Sequence, residues 1–230
     1  MTQVIRAALV AASLVTGPAA THGPFAAETL RYEASLGIIP AGTATLRASE
    51  TVDGRGRRLS LLTLEAAGGR GALSASARMT SWAGGAPFVS HRFHRQTELR
   101  GRRTDDRYRI EADSGLYRIE GKDGAWVTPD RPLDELAMLY YLRTLDLAPG
   151  QDFILRGYFR NGYNPVRVRV VGRERVELGS GAEVSCLRLE VSAAGLSSDV
   201  WLTDDAKRIP ARLRVPTPIG RVAMVWDGGT

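Results

Sequence analysis

Few residues in this sequence are of the types that bind metals or act as nucleophiles. The histidines are His22, His91 and His94, and the only cysteine is Cys186. Side chains alternate along a strand, so His91 and His94 would point to opposite faces and could share a metal only at a bulge. Cys186 lies within a strand pattern, which predicts a buried and unreactive thiol. We therefore expect no metal ion and no cofactor.

Hydroxyl and carboxylate side chains form no recognisable catalytic pattern either. A serine nucleophile would need a base and usually a G-x-S-x-G turn, which the sequence lacks. Asp204 and Asp205 lie where a hairpin loop is expected, and their carboxylates fit turn chemistry. The glycines of residues 68–71 are followed by no helix start with lysine, so they predict no phosphate loop. The sequence predicts no catalytic residues and favours a protein that is not an enzyme.

The charged residues Asp134 and Arg143 lie at the two ends of a largely apolar segment with helical spacing. In one interpretation, each only complements the helix dipole. In the other, Arg143 turns under a sheet and pairs with a buried carboxylate or an anionic guest. The neighbouring apolar side chains could fill a core or line a groove for an acyl chain. The residues predicted to bind such a ligand are Leu136, Leu139, Tyr140, Arg143, Trp201 and Trp226.

Most of the chain after Glu28 has the two-residue period of β-strands. Val166, Val168 and Val170, for example, alternate with arginines. This pattern is typical of antiparallel strands with one face in the core and one in water. Turn signals separate the strands at short intervals, which predicts a meander. The alternation slips within residues 183–192, where we expect either a bulge near Ser185 or Cys186, or a second apolar surface facing Leu187.

One segment, residues 132–145, has the 3.6-residue period of a helix. Pro132 suits its first turn and Asp130 could cap it. The last strand, Ile219 to Trp226, is apolar on both faces, so we expect it to contact this helix. The predicted fold class is mainly β: a curled antiparallel sheet or half-open β-barrel, with one central α-helix packed against it.

The N-terminus has the pattern of a secretory signal. Arg6 precedes an apolar stretch, residues 7–15, that is too short to cross a bilayer. We favour cleavage after Ala27, with Ala19 and Ala20 as alternatives. No cysteine is available there for lipid attachment, and no later segment predicts an integral membrane span. The predicted organisation is a signal peptide at 1–27, a single β domain at 28–226 and a tail at 227–230, in a periplasmic protein that is not a lipoprotein.

The formal net charge of +6 comes almost entirely from arginine. Seven arginines lie between Arg92 and Arg109, with Tyr108 among them. Nucleic-acid binding would use such a tract, but the predicted export argues against it. We expect a solvated face or a contact with anionic lipid instead. The expected partners are a lipid or acyl-chain ligand or another envelope protein, and no nucleic acid.

Several motifs resemble a known family. The run from Asp134 to Arg143, DELAMLYYLR, resembles the D-x-L-S-x-L-Y-Y-L-R segment of the DUF3108 family, a bacterial exported family of unknown function. Ala137 stands where that segment has Ser, which removes a helix hydroxyl. Further agreement lies in the first hairpin, in the residues after the helix and in two later strand pairs: Tyr32 to Leu46, PGQD at 149–152, VRVRVVGRERV at 166–176, and VWLTDD at 200–205 leading to RIPAR at 208–212.

The second of those strand pairs, W-L-x-x-D followed by I-P-x-R, is also remotely similar to the LolA/LolB-like envelope proteins. That resemblance implies a half-open barrel closed by helices and, by analogy, an apolar guest. Neither family implies catalytic residues. Two functional hypotheses follow: a half-barrel that holds a lipid or acylated ligand, and a structural or interaction module of the envelope. A hydrolase is the less favoured third.

Overall fold

The computed structural model describes residues 25–69, 74–85 and 87–229, so most of the predicted signal peptide lies outside the described residues. Within these ranges, strands make up one antiparallel sheet and a single α-helix accompanies it. The strands are β1 (Glu28–Leu36), β2 (Ile39–Val52), β3 (Arg58–Gly68), β4 (Ala75–Gly84), β5 (Val89–Leu99), β6 (Arg102–Glu111), β7 (Leu116–Ile119), β8 (Trp126–Val127), β9 (Asp152–Leu155), β10 (Val166–Glu177), β11 (Glu183–Ala193), β12 (Leu196–Thr203), β13 (Pro210–Thr217) and β14 (Gly220–Trp226); the helix is α1 (Glu135–Arg143).

The order of the strands shows how the sheet is built. From one edge to the other it runs β8-β7-β6-β5-β4-β3-β2-β1-β14-β13-β12-β11-β10-β9. The first and last strands therefore pair in the middle of the sheet, and the two edges are β8 and β9. The chain between those edges carries α1, so one connection spans the open side of the sheet. The predicted fold class, an unclosed curled antiparallel sheet with one helix, is confirmed.

The core follows the alternation read from the sequence. Val166, Val168 and Val170 are buried, while the arginines between them are exposed. Tyr108 and Ile110 are likewise buried on β6. One large apolar cluster joins these inward faces to the helix, and a smaller aromatic cluster lies under β5, β6 and β7. Among the described residues no helix is long and apolar enough to cross a membrane.

The helix is shorter than residues 132–145, and its cap is Asp134 rather than Asp130. Pro132 and Leu133 are not helical because distant chain segments bond to their backbone. Ser90 N donates to Pro132 O at 2.7 Å, and Leu133 N donates to Gly157 O at 2.6 Å. Local spacing cannot reveal these long-range bonds, which hold the residues extended until Asp134 begins the helix.

The slip in alternation on β11 does not come from a bulge at Ser185 or Cys186. The register between β11 and β12 is continuous there, and the irregularity lies on β10, between Val170 and Gly172. Cys186 and Leu187 are both fully buried, so both faces of β11 are covered at this point. The alternative of a second apolar surface therefore explains the pattern.

Side chains and short backbone bridges fill the gap between the sheet edges. Leu133 forms a parallel bridge with Tyr158, and Thr128 Oγ1 donates to Phe159 O at 2.8 Å. The Phe159 ring is fully buried against Phe93, Tyr108 and Tyr117. The segment after β9 thus crosses to the inner face of β5–β7, which holds the curled sheet together without closing its hydrogen-bonded ladder.

Candidate functional site

Two buried serines fix the start of α1. Asp134 Oδ1 accepts bonds from Leu136 N and Ala137 N, both at 3.0 Å. Its other oxygen accepts from Ser81 Oγ on β4 at 2.6 Å, and Asp134 N donates to Ser90 Oγ on β5. Burial raises the pKa of the Asp134 carboxyl to about 7, although the bonds to Ala137 N and Ser81 oppose that shift. Asp134 therefore anchors the helix to the sheet as well as capping it.

An ion pair fixes the other end of the helix. Arg143 Nη1 and Nη2 both donate to the Glu28 carboxylate at the start of β1, the Nη2 bond being 3.1 Å. Arg143 Nη2 also donates to Lys207 O, in the loop between β12 and β13. Tyr140 Oη donates to the same Glu28 at 2.7 Å. Arg143 thus pairs with a carboxylate of the protein, as in the second of the two interpretations of its position in the sequence.

The helical side chains predicted to bind a ligand are packed into the protein core. Leu136 and Tyr140 are buried, and Leu139 is half-buried against the same apolar cluster. The Tyr140 ring lies 4.8 Å from the Phe25 ring and 4.7 Å from the Arg143 guanidinium. Burial raises the pKa of Tyr140 above its ordinary value, so its hydroxyl stays protonated. Arg143 Nε is the polar atom of this group that lacks a hydrogen-bond partner among the described residues.

The two tryptophans of the predicted site lie on opposite faces of the sheet. Trp226 is opposite Tyr32 in the register, whereas Trp201 is opposite Arg212, which is opposite Val225. Because neighbouring residues on a strand alternate, Val225 and Trp226 face opposite ways, and so do the two tryptophans. The structure therefore brings together Leu136, Leu139, Tyr140 and Arg143 on the helix and places Trp201 apart from them.

Arginines cover Trp201. The guanidinium carbons of Arg188, Arg212 and Arg214 lie 5.3–5.4 Å from its ring centroid. Trp201 Nε1 donates to Glu174 Oε2 at 2.7 Å, and Arg188 also bonds Glu174. This cluster shields the indole with charged side chains that stack on it. The indole nitrogen of Trp226 also has a partner within the protein, since it donates a hydrogen bond to Gly229 O at 2.9 Å.

Two concave surfaces of about 330 Å³ each lie elsewhere. One runs across β3, β4 and β5, and the other lies beside β6 and β7. Neither includes any of the six predicted ligand-binding residues. The first has a mixed polar and charged lining, which includes Glu65, Ser76, Arg78, Gln96, Glu98 and Arg103. Such a lining suits water and ions rather than an acyl chain.

In the described part of the chain, the residue types that could bind a metal ion or act as a nucleophile do not form a site either. Among residues 25–69, 74–85 and 87–229, no three His, Cys, Asp or Glu side chains are grouped to hold a metal ion. Cys186 is buried as predicted, and burial raises the pKa of its thiol to about 12, which keeps it protonated and unreactive. His94 contacts Asp105 at 2.7 Å on the outer surface of β5.

Sequence reasoning missed the partners that hold these residues. Glu28, Glu174, Ser81 and Phe159 all have contacts that depend on chain segments far away in sequence. The sequence did indicate one property of Glu28: it begins the first alternating strand, so it lies where the strands of the sheet end and not in their middle. Nothing local marked it as the counter-ion of an arginine 115 residues away.

The comparisons with known proteins agree with this architecture. The crystal structure of a beta-barrel-like protein of the domain of unknown function DUF1849 from Brucella abortus superposes with a TM-score of 0.55. The match covers 89% of this chain and 97% of that one at 8% sequence identity, so it shows a shared fold. No curated protein matches the chain in sequence. The sequence model of the family described as protein of unknown function (DUF3108) matches residues 31–226, and the chain therefore belongs to the DUF3108 family.

Proposed function

We propose that this chain is a non-catalytic binding module of the bacterial cell envelope, exported to the periplasm, that contacts its partners through its outer surface. The signal-like N-terminus supports export. The lack of an assembled metal or nucleophile site among the described residues is compatible with a role in binding. Of the hypotheses drawn from the sequence, this one is the interaction module.

The observation that carries the proposal is the filled interior. Ala137, Tyr140 and Leu142 are buried within the main apolar cluster, so α1 lies flush against the sheet. The Tyr140 hydroxyl, both Arg143 Nη atoms and the Trp226 indole nitrogen have protein partners. A guest between helix and sheet would have to displace these contacts, whereas a partner on the outside would not.

The acyl carrier remains the competing hypothesis, and one observation favours it. Arg143 Nε has no hydrogen-bond partner among the described residues, and an anionic headgroup could accept from it. The acyl chain would then need space now taken by Leu136, Leu139 and Tyr140. The two hypotheses differ in a measurable way, because only the carrier binds a lipid molecule inside the fold.

Native mass spectrometry of protein purified gently from its own cells tests the proposal. We expect the native mass to equal the polypeptide mass found after denaturation. A known fatty-acid-binding protein measured under the same conditions serves as the control that a bound acyl chain survives the measurement. A stoichiometric, extractable acyl lipid on the wild-type chain, released only on unfolding, would overturn the proposal in favour of the carrier.

Export has its own test. We expect the protein in intact cells with a permeabilised outer membrane to be degraded by added protease, while a cytosolic marker survives. Protection of the protein to the same extent as that marker would overturn the periplasmic assignment.

A further inference from the structure

The end of the sheet that lies away from α1 carries three neighbouring hairpin tips. The helix is held at the other end, by Glu28 at the start of β1 and by the loop that follows β12. The three tips are residues 36–40 between β1 and β2, residues 217–220 between β13 and β14, and residues 193–196 between β11 and β12. We call these three tips together the hairpin rim.

The pairing of the strands holds the rim together. Leu36 is opposite Val222 where β1 meets β14, and Thr217 is opposite Gly220 within the next hairpin. A Cβ added to Gly220 would lie 3.0 Å from Leu36 Cδ1, so the first two tips touch. Arg221 Nη2 donates to Ser197 O at 3.0 Å, which ties the third tip to the second. The rim is therefore one surface and not three separate loops.

This rim is apolar and exposed. Ile38 is 99% exposed, Ile39 64%, Leu196 55% and Ile219 37%. The three chain segments that form it, residues 34–46, 191–198 and 215–220, contain no charged residue. A soluble surface seldom groups bare apolar side chains without a partner. Folding does not require them, because the apolar cluster of the core is complete without these four side chains.

Positive charge lies at the same end of the molecule. Alternate strands of an antiparallel sheet run in the same direction, so the β5–β6 tip is at the end that carries the rim. Arg100, Arg102 and Arg103 are exposed there, and no acidic side chain of the described residues lies within ion-pair distance of them. Arg221 flanks the rim itself, with its guanidinium paired to Asp199. Apolar tips with flanking arginines match a surface with an apolar interior and anionic headgroups.

We propose that the hairpin rim binds the surface of an anionic lipid bilayer. Ile38, Ile39, Leu196 and Ile219 enter the boundary between headgroups and acyl chains, while Arg100, Arg102 and Arg103 contact the phosphates. This inference rests on the proposal that the chain binds partners on its outer surface, and it names one such partner. The bound protein stands on its rim, with α1 directed away from the membrane.

Vesicle co-sedimentation tests the inference. The purified protein should bind vesicles of phosphatidylethanolamine and phosphatidylglycerol more tightly than vesicles of phosphatidylcholine alone. We expect the double variant Ile38→Ser, Ile39→Ser to lower the partition coefficient on the order of tenfold. Val52→Ser is the matched control, because Val52 is 63% exposed, much as Ile39 is, but lies at the other end of β2, opposite Arg58. It should bind as the wild-type chain does.

Replacing Arg100, Arg102 and Arg103 by Gln should remove the preference for anionic vesicles and the sensitivity to salt, while leaving the thermal unfolding midpoint unchanged. Equal binding by the rim variant and the Val52 control would overturn the inference. So would a dimer of the wild-type chain that the rim variant abolishes, because the rim would then be covered by a second copy. An internal lipid found by native mass spectrometry would contradict the proposed function alone, since the rim variant would retain that lipid.

Discussion

Residues 115 positions apart in sequence meet at the C-terminal end of α1. The Arg143 guanidinium is almost wholly buried there, and Glu28 supplies its counter-charge from the start of the chain's first strand. A buried charge that loses its partner is costly, more so than the loss of an exposed ion pair. The pair therefore couples the helix to the centre of the sheet, where the first and last strands meet.

We predict that Glu28→Gln lowers the free energy of unfolding by about 2–3 kcal/mol, because Arg143 stays buried without a counter-charge. Asp152→Asn is the control, since the Arg169–Asp152 pair is half exposed at both side chains and should contribute less than about 1 kcal/mol. Urea denaturation of both variants measures the difference. Equally small effects of the two substitutions would contradict a structural role for the Arg143–Glu28 pair.

Asp134 should make stability depend on pH in an unusual direction. Burial raises the pKa of Asp134 from 3.8 to about 7 in the folded chain. Between these two pH values, the folded chain keeps a proton on Asp134 that the unfolded chain has released. Stability from this group is therefore highest below about pH 4 and falls as the pH rises towards 7, by on the order of 4 kcal/mol in total.

Asp134→Asn isolates that contribution. The Asn side chain can still accept from Leu136 N and Ala137 N and can contact Ser81, but it does not titrate. We expect the difference in unfolding free energy between wild type and variant to change across about pH 4 to pH 7 in favour of the variant. Parallel stability profiles for the two proteins would show that Asp134 titrates normally.

At the scale of elements, the sequence predicted strands better than their ends. Alternation such as that of Val166, Val168 and Val170 predicts burial directly, because one face of such a strand is exposed to solvent and the other packs in the core. The helix was predicted to begin at Pro132 but begins at Glu135, because Pro132 and Leu133 bond to Ser90 and Gly157. Periodicity contains no information on such distant backbone partners.

The segment before β1 provides a prediction about processing. Phe25 packs its ring 4.8 Å from that of Tyr140 and 5.7 Å from that of Phe88, and its backbone N donates to Ser60 Oγ. Cleavage after Ala27 would remove these contacts. We therefore predict that the mature chain keeps Phe25, as cleavage after Ala19 or Ala20 would allow.

The intact mass of the protein purified from its own cells decides this point. We expect a mature N-terminus before Phe25, and a loss of about 1–3 kcal/mol in unfolding free energy for Phe25→Ala. A mature chain that begins at Glu28 would contradict the prediction and would leave the Tyr140 ring without this neighbour.

Across the whole molecule, turn signals predicted the meander, but they could not predict which distant strands pair. Strands that are neighbours in sequence pair in the sheet, as short turns require, except β8 and β9, which form its two edges. The pairing of β1 with β14, and the resulting edges at β8 and β9, depend on curvature that no single strand encodes. The candidate site shows the same limit. Tyr140 and Arg143 were grouped from the helix pattern, whereas only the strand register shows that Trp201 and Trp226 face opposite ways.

The open seam of the sheet depends on one aromatic side chain more than on any backbone ladder. Phe159 is fully buried, and its ring contacts those of Phe93, Tyr108, Tyr117 and Tyr158. We predict that Phe159→Ala lowers the unfolding free energy by about 3–5 kcal/mol and loosens the seam before the centre of the sheet.

Hydrogen exchange would show this order of opening. In Phe159→Ala, amides of β6, β7 and the 128–133 segment should exchange faster, while those of β1 and β14 keep their wild-type protection, because they lie in the middle of the sheet, far from the seam. Phe153→Ala is the control, since Phe153 is half-buried on β9 and contacts the main apolar cluster instead of the aromatic one. Uniformly faster exchange in both variants would mean that the sheet opens as one cooperative unit, and that the aromatic cluster does not act as a separate closure of the half-barrel.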